Sequence, residues 1–350
     1  MQEVIILGGG LTGLTLAHLL RSKGIEALIL EARPRLGGRI LTDRKAGQAP
    51  VELGATWLGR KHSALTKLLE ALELKTFRQE LGDAAIYEPI STSPHQLVKL
   101  PPNDDPSFRI VGGSDSLISA LASTLEDSQI KLDHVVSRLI FNGEFWTVQT
   151  SQGDYQAPKV VSTLPPNLLV QTVGFDPVLP EEMAQLAKET HTWMGESIKV
   201  GLRYESPFWR DAPYSGTIMS NVGPIPEMYD HADQADTSFA LKGFFNGSYH
   251  SLKQEDRLRL VMAQLRKYYG NQATTFTEFV EKVWVNEPFT FSPYQGHIYP
   301  HQNNGADQFR EPLYDGTFFL AGSETADQFP GYMDGAVRSA NHVFRQLTSS

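Results

Sequence analysis

Gly8, Gly10 and Gly13 stand in G-x-G-x-x-G spacing within the run Gly8-Gly9-Gly10-Leu11-Thr12-Gly13. An apolar run, Val4-Ile5-Ile6-Leu7, precedes them, and a helical pattern follows. Glycines at such a strand-to-helix turn let backbone amides approach a pyrophosphate, where the helix dipole favours anions. Glu31 lies 18 residues after Gly13, at the end of a second apolar run, and suits ribose hydroxyls. The pattern alone does not choose between NAD and FAD. Arg39, just after Gly37-Gly38, can pair with phosphate, and the glycine pair lets the backbone pass close to a cofactor. Lys199 falls in an alternating segment. Ile198, Val200, Leu202 and Tyr204 share one face, and Lys199, Gly201 and Arg203 share the other. A lysine beside a glycine suits a face that a ligand approaches closely.

Other chemistry is disfavoured. His297 and His301 are four apart, but Pro300 intervenes, so no metal site is expected. Gly113-Ser114-Asp115-Ser116 lacks the second glycine of a nucleophile elbow, and helix capping explains its serine. Asn246-Gly247-Ser248 fits a glycosylation acceptor without a secretion signal to support it. A net charge of −9 argues against a broad nucleic-acid footprint. The absence of cysteine removes disulfides, thiolate ligands and any cysteinyl cofactor link.

Elements must hold these groups in place. The spacing predicts strands at 4–7 and 27–30 around a helix stopped by Gly24, a βαβ unit. It predicts a helix over 114–126, capped by Ser114 or Asp115, with Leu117, Ile118, Leu121 and Leu125 inward. Strands are expected at 145–148, 159–161 and 317–320. A helix over 251–269 carries a Ser251/Gln254 capping box, a Leu258, Val261, Met262, Leu265 stripe and Gly270 as its stop. A closing helix is expected over 335–347. Proline-rich stretches near 89–106, 165–180 and 205–226 are boundary candidates. The 350 residues, 41% of them hydrophobic, allow about two domains. Neither a basic leader at Met1 nor an apolar tail at Leu347-Thr348-Ser349-Ser350 is evident, so a cytoplasmic protein without a membrane anchor is expected.

Several segments, taken together, resemble the flavin-containing amine oxidases. Glu31-Ala32-Arg33 through Arg35-Leu36-Gly37-Gly38-Arg39 is similar to the family's E-A-R-x-R-x-G-G-R signature. Leu53-Gly54-Ala55-Thr56-Trp57 resembles its flavin-side segment, and Val136 its adenine-binding valine. Met194-Gly195-Glu196-Ser197-Ile198-Lys199-Val200 leads to Ser206-Pro207-Phe208-Trp209, as in the monoamine oxidase pattern. Phe319-Leu320-Ala321-Gly322-Ser323-Glu324-Thr325 and Gly331-Tyr332-Met333-Asp334-Gly335-Ala336 resemble the C-terminal block.

The resemblance implies an α/β fold in which a Rossmann-like FAD-binding domain is interleaved with a smaller substrate domain built on a mixed sheet. The expected division is 1–77, 107–189 and 286–350 for FAD, and 78–106 and 190–285 for substrate. It implies FAD contacts from Gly8, Gly10, Leu11, Thr12, Gly13, Glu31, Ala32, Arg33, Gly38, Arg39, Gly54, Ala55, Thr56, Trp57, Val136, Trp284, Gly322, Ser323, Glu324, Tyr332 and Met333. Lys199 is expected to reach flavin N5 through a water. Tyr294, ten residues after Trp284, and Tyr332 are expected to face each other and flank an amine. The implied reaction oxidises an amine to an imine, then to an aldehyde or ketone, with oxygen reduced to peroxide. A carbon–carbon desaturase, a dehydrogenase with another acceptor, and a non-catalytic flavin-binding regulator stay open, as does the oligomeric state. Two departures are evident. Pro293 stands where covalent members carry the flavin-linking cysteine, so FAD is expected to be non-covalent. The segment between Arg78 and Phe108 is short, which makes the substrate the least transferable feature.

Overall fold

The computed structural model describes residues 2–211 and 213–349. Met1 and Ser350, which entered the expected absence of a leader and an anchor, lie outside the described residues. Five parallel strands form the nucleotide-side sheet, in the order Phe318–Leu320, Lys159–Ser162, Val4–Leu7, Ala27–Leu30 and Ile130–Lys131. Val4–Leu7 is buried at every position, as a run with no polar alternation demands when both faces are covered. Helix Leu11–Arg21 packs on this sheet with Leu14, Leu16 and Leu20 fully buried. Each such leucine stabilises the fold by about 1.5–3 kcal/mol. The closing helix, Met333–Thr348, packs beside it and begins two residues earlier than its apolar spacing indicates.

A seven-stranded mixed sheet holds the other side. Its order is Glu278–Val283, Ile198–Tyr204, Phe239–Phe245, Glu227–Asp230, Ile218–Ser220, Ala84–Glu88 and Gln96–Lys99. Only the pairing of Ile218–Ser220 with Ala84–Glu88 is parallel. All its strands come from 84–99 and 198–283. A four-stranded sheet, 136–157 with 174–176, completes the α/β architecture. Among the described residues no helix is long and apolar enough to cross a membrane.

Several local expectations are corrected. The 114–126 helix spans only Asp115–Ala122, and Ser114 makes no side-chain cap. Distant residues cap it instead. The Ser114 N–H donates to Glu52 Oε1 at 2.5 Å and the Asp115 N–H to Thr42 Oγ1 at 3.0 Å. The Ser251/Gln254 box is not formed, because the helix starts at Gln254 itself, with Lys253 at the cap position. The chain turns at Asp133, φ 60°, between Ile130–Lys131 and Val136–Phe141.

Candidate functional site

A cavity of about 520 Å³ runs between the two large sheets. Gly8, Gly10, Leu11, Thr12, Glu31, Arg33, Gly38 and Arg39 line one end. Gly8 has φ +102°, and a Cβ there would lie 2.7 Å from Thr163 Oγ1. Gly13 lines nothing. It is needed because a Cβ would run into the Gly8 carbonyl where helix meets strand. Helix Leu11–Arg21 therefore aims its free amides into a backbone-walled cradle. Glu31 Oε2 accepts from the Gly9 N–H at 2.7 Å, and Oε1 from the Arg33 N–H at 2.9 Å. The carboxylate is thus fixed at the cavity wall with lone pairs left over. The cradle, the helix terminus and the carboxylate fit a dinucleotide such as FAD.

Ala55, Thr56, Trp57, Lys199, Trp284, Ser323, Tyr332 and Met333 line the cavity further along, with Gly54. Lys199 reaches it from strand Ile198–Tyr204, its ammonium donating to the Gly54 carbonyl and lying 5.2 Å from the Phe244 ring centroid. Burial pulls Lys199 down to about 8, against the attraction of Glu52. The Trp284 indole N–H donates to the Leu53 carbonyl at 2.7 Å. Both contacts hold the 53–54 backbone against the cavity. Gly201, read as room for a ligand, is instead covered by the Val51 side chain. Its strand is buried on both faces, and Arg203 on the lysine side pairs with Asp43 and Glu278.

Three further expectations are revised. Ala32 is not among the residues lining the cavity, and neither is Val136, which enters the four-stranded sheet after the chain turns at Asp133. Gly322 and Glu324 also stand behind the wall. Arg39, expected to meet phosphate, has a carboxylate partner. Nη1 and Nη2 donate to the two oxygens of Glu324 at 2.5 and 2.8 Å, and Nη2 also donates to Ser323 Oγ at 3.0 Å. Burial would raise the Glu324 carboxyl, but the Arg39 charge outweighs it and holds it below its ordinary range.

The third revision concerns the paired tyrosines. Tyr294 does not line the cavity. Its hydroxyl accepts from the Thr192 N–H at 2.9 Å, and its ring packs on His191 and Phe291. The ring beside Tyr332 is Trp193, with centroids 5.9 Å apart. The Arg39–Glu324 pair grips its backbone from both sides. Arg39 Nη1 donates to the Trp193 carbonyl at 3.2 Å, and the Trp193 N–H donates to Glu324 Oε1 at 3.3 Å. His301 stacks on the indole at 3.8 Å, and His62 lies 5.9 Å from Tyr332. Trp193, His62 and Phe244 all line the cavity, and the sequence reading passed over them. Trp193 immediately precedes the Met194 motif, which was the one signal available for it. Phe244 becomes visible only once sheet pairing sets it opposite Lys199.

With this geometry in hand, comparisons with known proteins are informative. The family described as flavin containing amine oxidoreductase matches residues 11–97 and 93–347. Amine oxidase [flavin-containing] B of Cavia porcellus is 24% identical, over 99% of this chain and 86% of its own length. Amine oxidase [flavin-containing] A of Sus scrofa is 23% identical, over 100% of this chain and 85% of its own. A solved putrescine oxidase bound to putrescine superposes with a TM-score of 0.86 at 23% identity, covering 100% of this chain and 99% of that one. A cyclohexylamine oxidase from Brevibacterium oxydans gives 0.85 at 21%, with 99% of each chain covered. At these identities the solved structures speak for the fold alone.

Proposed function

The chain belongs to the flavin-containing amine oxidoreductase family, and from that premise we propose that it oxidises a small amine to an imine, with oxygen as acceptor. Family membership makes it a flavin-dependent oxidoreductase. One observation carries the finer reading: a buried lysine and an aromatic wall share one cavity with a glycine-lined helix terminus. Overall, a primary amine, oxygen and water give an aldehyde, ammonia and hydrogen peroxide. Bound FAD supplies the two-electron redox chemistry.

In this reading Gly8, Gly10 and the first turn of helix Leu11–Arg21 hold the pyrophosphate, and Glu31 the ribose. Arg39 positions Trp193 rather than binding phosphate. Lys199 holds a proton near the reacting groups and assists oxygen. Its depressed affinity for that proton suits a group that gives and takes it near neutral pH. Trp57, Trp193, Phe244 and Tyr332 exclude water and favour the neutral amine, because a low-dielectric wall penalises the ammonium. FAD is bound non-covalently, a reading supported by Pro293 and by the lack of cysteine. The interleaved division into 1–77, 107–189 and 286–350 against 78–106 and 190–285 is part of this proposal. It is supported by the confinement of the seven-stranded sheet to 84–99 and 198–283. The amines for which the structural neighbours are named, putrescine and cyclohexylamine, support a compact alkyl amine.

The test is anaerobic mixing of the holoenzyme with a panel of alkyl, aryl and diamines while flavin absorbance is followed. Bleaching by one of them, with peroxide formed once air is admitted, is the expected result. A flavin that every amine leaves oxidised overturns the proposal.

A further inference from the structure

A second cavity, of about 260 Å³, lies on the far side of the Val51–Glu52 strand and shares no lining residue with the first. Arg109, 7% exposed, lines it, and its guanidinium stacks 4.5 Å above the Phe77 ring. One amino group donates to the Ala232 carbonyl at 2.6 Å, while Nε–H has no partner. Among the described residues Arg109 forms no direct ion pair; Asp230, Glu52 and Asp233 attract its charge only from a distance, and burial still pulls it down to about 10. His231, 1% exposed, lines the same cavity. Its Nε2 accepts from the Glu52 N–H at 3.3 Å, which leaves the proton on Nδ1, and that donor is also unpartnered. Two buried donors without acceptors in one wall are costly unless a ligand meets them.

We propose that this cavity binds a small organic monocarboxylate, held by Arg109 and His231. The local charges set its valence. Glu52 and Asp233 also line the cavity, so a dianion is disfavoured. Glu52 faces Thr42 and the Ser114 N–H, Asp233 is engaged by the turn at 237–238, and Asp230 by Trp209 and Arg210, so none of them pairs directly with Arg109. Pro50, Phe77, Ile110 and Ala235 give the rest of the wall an apolar character that suits a short alkyl chain. Three consecutive residues lie between the two cavities. The Glu52 N–H holds His231, the Leu53 carbonyl holds Trp284, and the Gly54 carbonyl holds Lys199.

Calorimetric titration of the holoenzyme with butyrate and with inorganic phosphate, in chloride at constant ionic strength, tests the assignment. The expected result is saturable binding of butyrate at one site per chain, tighter than phosphate. Arg109→Met weakens it by about 10- to 100-fold, the loss of a charge-assisted bond. Because a buried arginine can matter for folding, Gln48→Trp serves as a second variant. It plugs the mouth from an exposed position and abolishes butyrate binding while amine turnover stays at the wild-type level. No saturable isotherm, tighter binding of phosphate, or unchanged butyrate affinity in Gln48→Trp overturns the proposal.

Discussion

The two ends of the main cavity are built in opposite ways. The glycine-lined end comes from one short stretch, Gly8 to Arg39, in which strand, turn, helix and acid follow one another. The aromatic end draws Trp57, Trp193, Lys199, Phe244 and Tyr332 from five separate segments. The first works through backbone amides and close approach, which local sequence controls. The second works through side-chain faces, whose neighbours depend on packing. The sequence therefore reads the backbone of the first end more readily than the ring pairs of the second, where Trp193 and not Tyr294 lies beside Tyr332.

The sharpest way to break this contrast is to disturb the local end. Gly13→Val drives a side chain into the Gly8 carbonyl, and we expect flavin-free protein. Retention of a full visible flavin band would show that the cradle is not needed. At the other end, Lys199→Met should keep its flavin yet react with oxygen about 10²-fold more slowly, the scale of a positioned proton donor. Stopped-flow reoxidation measures this, and an unchanged rate removes the lysine from the mechanism.

Trp193→Ala should lower kcat/KM for the best amine by about 3- to 30-fold, the range of an aromatic–cation contact, with flavin content unchanged. Trp193→Phe should recover most of that loss. Tyr294→Phe should change kcat/KM by less than about twofold, since this hydroxyl meets only a backbone N–H at the edge of the fold. A large Tyr294 effect beside a small Trp193 effect would restore the paired tyrosines.

A last effect is thermodynamic. Lys199 loses its proton near 8 in the folded chain and near 10.5 in the unfolded one. Between those values the unfolded chain binds the extra proton, so this group makes stability rise with pH and leaves it flat below about 8. Urea unfolding of wild type and Lys199→Met across that window should show the slope, about 3 kcal/mol in total, only in the wild type. Parallel profiles would mean that Lys199 is not buried as described.

Legibility in the sequence follows the same division. The strands at 4–7, 27–30, 159–162 and 318–320 were readable because short apolar runs have few alternatives when both faces are covered. The cap of Asp115–Ala122 was not, because Glu52 and Thr42 supply it from over 60 residues away. The carboxylate partner of Arg39 was hidden for a similar reason. An arginine after Gly-Gly suggests phosphate, and nothing local reveals that Glu324 returns to claim it. Gly201 was misread because a missing side chain marks close approach without saying what approaches.

The amino-acid order alone determined the nucleotide cradle, the α/β alternation and the family, because backbone conformation and apolar periodicity are properties of neighbouring residues. Only the tertiary structure decided which rings meet beside Lys199, which carboxylate holds Arg39, and that Arg109 and His231 share a second cavity. Those pairings join residues tens to hundreds of positions apart, and packing, not spacing, selects among them.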